Sequence, residues 1–257
     1  MTPMTGFGIL LRKELREQWR SSRLPVVAVI FLALGLLSPL MAYYTPEILK
    51  LAGGGLNITL PTPTAGDAVD QFLKNMSQLA PFVAILLAMG EVARERERGT
   101  AAFVLTKPVT RPAFLAAKFV ALLATLGVSV LLAGAATYFY TAVLFKTLPL
   151  GGFTASAGLA LLALMVTAAL TFLASTLVRS SLPAGGMGLG AFLLLAILSS
   201  LPRLGRYTPQ GLLTPAHALA LGQATGSLAG PLLVNLGLIA AALALAWLAF
   251  RGQEIEG

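Results

Sequence analysis

The chain has no cysteine, a single histidine (His217), and only 28 charged side chains among 257 residues, 18 basic and 10 acidic. Without cysteine it can form neither a disulfide nor a thiolate metal site. One histidine cannot make a histidine cluster, and His217 falls in a Gly/Pro-rich connection, a poor place for the base of a serine–histidine pair. A charged fraction of 11% is less than half the roughly 25% usual in a soluble domain, so water is not the solvent for most of this surface. A nucleotide-binding P-loop is missing too. That motif places glycine directly before its lysine, and the six lysines follow Arg12, Leu49, Leu73, Thr106, Ala117 and Phe145.

What is present is apolar: 57% of the residues. Six segments, at about 25–44, 77–93, 113–142, 155–178, 183–201 and 231–250, are long enough or nearly so to cross a bilayer, where a spanning helix takes about 20 residues. In lipid each segment can satisfy its own backbone groups only as a helix. No ten-residue alternating pattern supports a barrel. The expectation is an all-α integral membrane protein, one domain over 1–257, with six transmembrane helices. The first segment is expected to be a retained helix, because its leader and apolar run are both long for a cleaved signal.

Orientation follows from lysine and arginine. With the N-terminus inside, only Lys50, Lys74, Lys146, Arg203 and Arg206 lie outside, and the other thirteen lie inside. The positive-inside rule therefore predicts a multi-pass protein of the cytoplasmic membrane with both termini cytoplasmic. The net charge of +8 belongs to this asymmetry. No basic run interleaved with aromatics points to nucleic acid.

Several pieces are neither span nor plain loop. In residues 7–23, Phe7, Leu11, Leu15 and Trp19 recur every four positions while Arg12, Lys13, Arg16 and Arg20 take other faces. That pattern predicts an amphipathic helix along a membrane surface. Residues 66–79 predict a helix leading into the second span, with Val69, Phe72, Met76 and Leu79 on one side and Asp67 and Asp70 at its start, where the dipole favours negative charge. Ala216–Leu221 predicts a short helix dipping into the outer leaflet. Within the spans, Thr167, Thr171 and Ser175 share one face of the fourth, Asn235 marks the sixth, and Gly186 and Gly190 form a G-x-x-x-G in the fifth. These suggest close helix packing or a weakly polar path.

Residues 94–111, RERERGTAAFVLTKPVTR, hold seven charged side chains in eighteen positions. The spacing predicts that residues 91–98 continue the second helix, with Glu91–Arg94, Arg94–Glu97 and Glu95–Arg98 pairs along it. Gly99 stops that helix and Thr100 caps a new short one through Thr106. Phe103, Val104 and Leu105 are too apolar for a free loop. Pro108 ends the short helix, and Thr110 is placed to cap the third span with Pro112 in its first turn. The product is an apolar knob ringed by charge, either tucked under the membrane or inserted into a partner.

These residues carry a resemblance. Glu95-Arg96-Glu97-Arg98-Gly99-Thr100, then Leu105-x-Lys107-Pro108-Val109-Thr110-Arg111 and a downstream Lys118, resemble the signature loop of type-2 ABC permeases, including the NosY-like branch. Lys13-Glu14 and Trp19-Arg20 are similar to that family's N-terminal helix, and Pro61-Thr62-Pro63-Thr64-Ala65 to its first external loop. The resemblance implies the membrane subunit of an exporter, present as two permease copies with two copies of a separate ATPase that carries ATP and Mg. It implies no cofactor on this chain. It also implies that the loop between spans 2 and 3 is a coupling helix, with Glu95, Arg96, Glu97, Arg98, Gly99 and Thr100 as coupling residues. By the same resemblance Pro108 and Arg111 shape the loop's exit, and Lys13, Glu14 and Arg20 anchor the N-terminal helix. The rival readings are a membrane-embedded enzyme and a non-transporting scaffold or sensor. The spans hold few of the ionisable groups that intramembrane chemistry uses.

Overall fold

The computed structural model describes residues 5–52, 62–97 and 110–252, with the side chains of residues 50–52 left aside. Arg98, Gly99, Thr100, Phe103, Leu105 and Pro108, and with them the expected short coupling helix, lie outside the described residues. Among the described residues there is no strand. The helices are α1 (Phe7–Arg20), α2 (Arg23–Ala52), α3 (Ala65–Gln78), α4 (Ala80–Ala88), α5 (Ala93–Glu97), α6 (Arg111–Leu144), α7 (Leu150–Leu177), α8 (Ser181–Ser199), α9 (Leu213–Ala220) and α10 (Ala229–Arg251). Six stretches are long and apolar enough to cross a membrane: α2, the α3–α5 run, α6, α7, α8 and α10.

Five of the six spans are longer than the hydropathy runs. The second begins at Ala65 rather than near 77 because Thr64 and Asp67 form a capping box. The Thr64 N–H donates to Asp67 Oδ2 at 2.7 Å, and the Asp67 N–H reaches back to Thr64 Oγ1. Val69, Phe72 and Met76 are buried as their spacing predicts, but Leu79 is uncovered, because the α3–α4 junction follows it.

The first span runs on to Ala52 through Pro39 and Pro46. Pro39 has no N–H for the carbonyl four residues back, that of Gly35. The Thr137 hydroxyl of α6 donates to that carbonyl at 2.9 Å instead. It can do so because Gly35 lets the two helices touch: a Cβ there would run into the Ala133 carbonyl. Thr137→Val is therefore expected to cost about 1–2 kcal/mol by leaving a buried acceptor unpaired. In a Pro39→Ala background, where residue 39 regains its N–H, the same change is expected to cost much less. Unfolding the four proteins in mixed micelles tests this, and equal costs in both backgrounds would rule out the assigned role of Thr137.

α7 is the central helix, packed on α4, α6, α8, α9 and α10. Between lipid-facing helices apolar burial supplies little drive, so close fit and small residues carry association. Phe153 and Phe172 of α7 meet Phe72 and Phe119 with ring centroids 5.8 and 5.6 Å apart. On α8 the glycines that fit are Gly185, against Met89, and Gly188, against Thr171. Gly186 and Gly190 face open space, so the G-x-x-x-G spacing is not the one used here. The connection 200–228 holds two short 3-10 turns and α9, which starts at Leu213 rather than Ala216. Ala216 and Ala220 bury against α7 and α3, and the side chain-free Gly152 admits the Leu219 carbonyl.

Candidate functional site

The charge of the protein converges at the end of the bundle that carries α1 and the two flanks of residues 98–109. α1 packs on α6 through Leu10, Glu14 and Gln18, all buried. Two of those three are polar, so the face buried against protein is not the predicted apolar stripe. Phe7 and Leu11 of that stripe are partly buried, whereas Leu15 and Trp19 are left uncovered.

Glu14 is tolerated because both carboxylate oxygens are used. Lys118 Nζ, only 3% exposed in α6, donates to Glu14 Oε2 at 3.2 Å and lies 2.8 Å from Glu95 Oε1. Lys13 Nζ sits 3.2 Å from Glu14 Oε1, 3.6 Å from Glu17 and 3.8 Å from Glu95. Glu91, also buried, accepts from Arg23 Nη1 at 3.3 Å and from Gln18 Nε2 at 3.4 Å. Three carboxylates, Glu14, Glu91 and Glu95, thus face three cations, Lys13, Arg23 and Lys118. A charge in this setting costs several kcal/mol unless it is paired, and these six compensate one another. Burial opposes the charge on Lys13, but Glu14 and Glu95 outweigh it and hold the ammonium above its ordinary pKa.

The residues after Ala88 do not continue the second helix. The chain turns over Met89–Val92 and restarts as α5. A restarted helix has free N–H groups in its first turn. The Val92 and Ala93 N–H groups donate to Ser175 Oγ of α7 at 3.1 and 3.0 Å. The break redirects the side chains, and the predicted Glu91–Arg94 and Arg94–Glu97 pairs do not form among the described residues. Glu91 and Glu95 instead bond across to α1, α2 and α6. Arg98, the predicted partner of Glu95, lies outside the described residues.

Two arginines flank residues 98–109, and each holds the end of another span. Arg96 Nη1 donates to the Thr176 and Val178 carbonyls, at 3.0 and 3.4 Å, where α7 ends. Arg111 Nη1 donates to the Phe250 and Arg251 carbonyls, at 3.2 and 2.7 Å, where α10 ends. Helix C-termini expose unpaired carbonyls with partial negative charge, which suits a guanidinium. Thr110 occupies the N-cap position of α6, but its side chain makes no capping bond.

Of the sequence-predicted residues, the fold gathers Lys13, Glu14, Glu95, Arg96 and Arg111 at this end. Glu97, Trp19 and Arg20 are exposed and stand outside the network. Thr167, Thr171 and Ser175 are buried in helix contacts: Thr171 Oγ1 donates to the Thr167 carbonyl and abuts Gly188, while Ser175 serves the break in span 2. Asn235 is far along α10, where its Nδ2 donates to the Tyr207 and Pro231 carbonyls. Sequence reasoning did not assign Gln18, Arg23, Glu91 or Lys118 to the site. The signal for the last two was present, since an ionisable residue inside a span asks for a partner. Among the described residues no group of three or more His, Cys, Asp or Glu side chains is placed to hold a metal.

This architecture can be set beside known proteins. Over 218 residues the chain is 29% identical to an uncharacterized transmembrane protein of Bacillus subtilis (strain 168), YxlG, with 82% of this chain and 84% of that protein covered. The profile of a family described as ABC-2 family transporter protein matches residues 9–254. With nearly its whole length matched, the chain belongs to the ABC-2 transporter family and is a multi-pass membrane component of an ABC transporter, a non-catalytic permease subunit of the kind that associates with an ATPase.

Proposed function

We propose that this protein is the permease half of an exporter in the cytoplasmic membrane, working as a homodimer with two copies of a separate ATPase. Both termini and residues 94–111 face the cytoplasm in this reading. ATP-driven closure of the ATPase pair displaces that loop, and the spans exchange between two access states. A ligand or partner moves such an equilibrium only by its differential affinity for the two states. The displaced loop must therefore grip the spans differently in each.

The observation that carries the reading is the pair of arginine caps. Arg96 and Arg111 stand at the two ends of the loop, and each bonds a different span terminus, α7 and α10. A push on the loop thus has two hydrogen-bonded routes into the bundle. The Glu14–Lys118–Glu95 cluster supports the same reading, because it ties α1 and the loop's first flank to α6.

Affinity purification from native membranes is expected to recover a P-loop ATPase. Glu97→Arg and Gly99→Pro are expected to abolish ATPase stimulation and transport in reconstituted vesicles while leaving membrane insertion intact. Purification with no ATPase under any mild detergent, or full activity in both variants, would refute the proposal.

A further inference from the structure

α1 has a third side that the network does not use. At 3.6 residues per turn, Arg12, Arg16 and Arg20 fall in one row, with Ile9 beside them. All four are exposed, Ile9 by 79%. None of the three guanidinium groups lies within ion-pair distance of a described acidic group. The acids of α1 are spoken for: Glu14 by Lys118 and Lys13, Glu17 by Lys13. The row borders a shallow open concavity along the helix.

On the adjoining side of the same helix, Leu15 and Trp19 are uncovered, Trp19 by 65%. Helix geometry puts Arg12 and Arg16 three residues before Leu15 and Trp19, so the basic row adjoins the apolar strip directly. The depth of α1 is fixed by its partners. Its inner face meets Lys118, about two turns into α6, and Gln18 meets Glu91 where span 2 breaks. Ser21 and Ser22, the latter with φ of 59°, turn the chain from α1 into α2. α1 is therefore a separate helix clamped at the level where spans end, with an apolar strip and an unpaired cationic row side by side. A soluble acidic protein would explain the row and leave the strip in water. A lipid surface accounts for both.

We propose that the outer side of α1 is a binding site for anionic phospholipid, with Arg12, Arg16 and Arg20 on headgroup phosphates and Leu15 and Trp19 among the upper acyl chains. Because Glu14 on the opposite side of α1 holds Lys118, lipid engaged here also sets how firmly α1 presses on α6.

The test uses the full chain with Trp247→Phe, so that Trp19 is the only indole, reconstituted in phosphatidylcholine vesicles. Brominated phosphatidylglycerol and brominated phosphatidylcholine are compared as quenchers at equal mole fraction. A basic side chain near an anionic surface is worth a preference on the order of fivefold, so Trp19 is expected to be quenched several-fold more effectively by the phosphatidylglycerol. The preference is expected to fall to parity in Arg12→Gln/Arg16→Gln/Arg20→Gln and to shrink in high salt. A thermal unfolding curve of the triple variant checks that α1 is still seated. Equal quenching by both lipids in the unaltered row, or a preference surviving the triple substitution, overturns the proposal. So does a Trp19 that no lipid quenches but that the partner ATPase shields, since protein would then occupy this side.

Discussion

Lys118→Met is expected to lower the stability of the folded permease by about 3–5 kcal/mol, the range for removing one partner of a buried ion pair. Methionine keeps the length and most of the volume, so lost packing contributes little. What changes is charge. Glu14 and Glu95 both converge on Lys118 Nζ, at 3.2 and 2.8 Å. Without it the two carboxylates share Lys13, which is also shared with Glu17. Lys13 is half-exposed, so solvent softens part of the loss and favours the lower end of the range. The triple variant Glu14→Gln/Glu95→Gln/Lys118→Met removes the orphaned charges with their partner. It is expected to recover most of the stability, because a buried ionic cluster replaced as a unit is often close to neutral. Unfolding in mixed micelles, followed by tryptophan fluorescence, measures all three. A Lys118→Met protein as stable as the native one would mean that the cluster is well hydrated and contributes nothing.

The contrast between what was readable locally and what was not runs through this same cluster. The place of Asp67 at the start of α3 and the shared side of Val69, Phe72 and Met76 could be foreseen because every participant lies within a few turns of the others. The six spans were visible because length and apolarity belong to each segment alone, and the bilayer demands both. What α1 presents to the bundle was not legible, for the opposite reason. Glu14 reads as a surface residue until Lys118, 104 positions away, is brought against it. The Gly35 carbonyl that Pro39 leaves without an N–H is a second case. Its repair comes from Thr137, 102 positions from the carbonyl it serves. Charge spacing in residues 91–98 suggested pairs along one helix, yet the turn at Met89–Val92 rotates Glu91 and Glu95 toward other elements. Local rules hold where the competing partner is also local. In a membrane bundle a buried charge takes the best partner in three dimensions, and that choice leaves no mark on spacing.

The same principle makes the arginine caps the sharpest functional prediction. Arg96→Ala combined with Arg111→Ala is expected to leave ATPase binding nearly intact and to reduce transport and ATPase stimulation by well over tenfold. Each guanidinium bonds two terminal carbonyls, Arg96 at the end of α7 and Arg111 at the end of α10. A hydrogen bond to a charged group is worth about 1.5–3 kcal/mol, and a loss of coupling free energy of about 1.4 kcal/mol is already tenfold. Either single substitution leaves one route from the loop into the bundle, so each is expected to give an intermediate defect. Lysine at either position keeps a charge, but as a strongly hydrated ammonium on a flexible stem rather than a planar, weakly hydrated guanidinium, and is expected to rescue only in part. The carbonyls so freed lie at helix ends, and that of Arg251 is in an exposed residue where water can replace the guanidinium, so stability is expected to fall less than transport. That separation is the decisive measurement. If both activities and the unfolding midpoint decline together, Arg96 and Arg111 are braces for α7 and α10. If stimulation collapses while the ATPase stays bound and the fold stays firm, they transmit the motion of the loop.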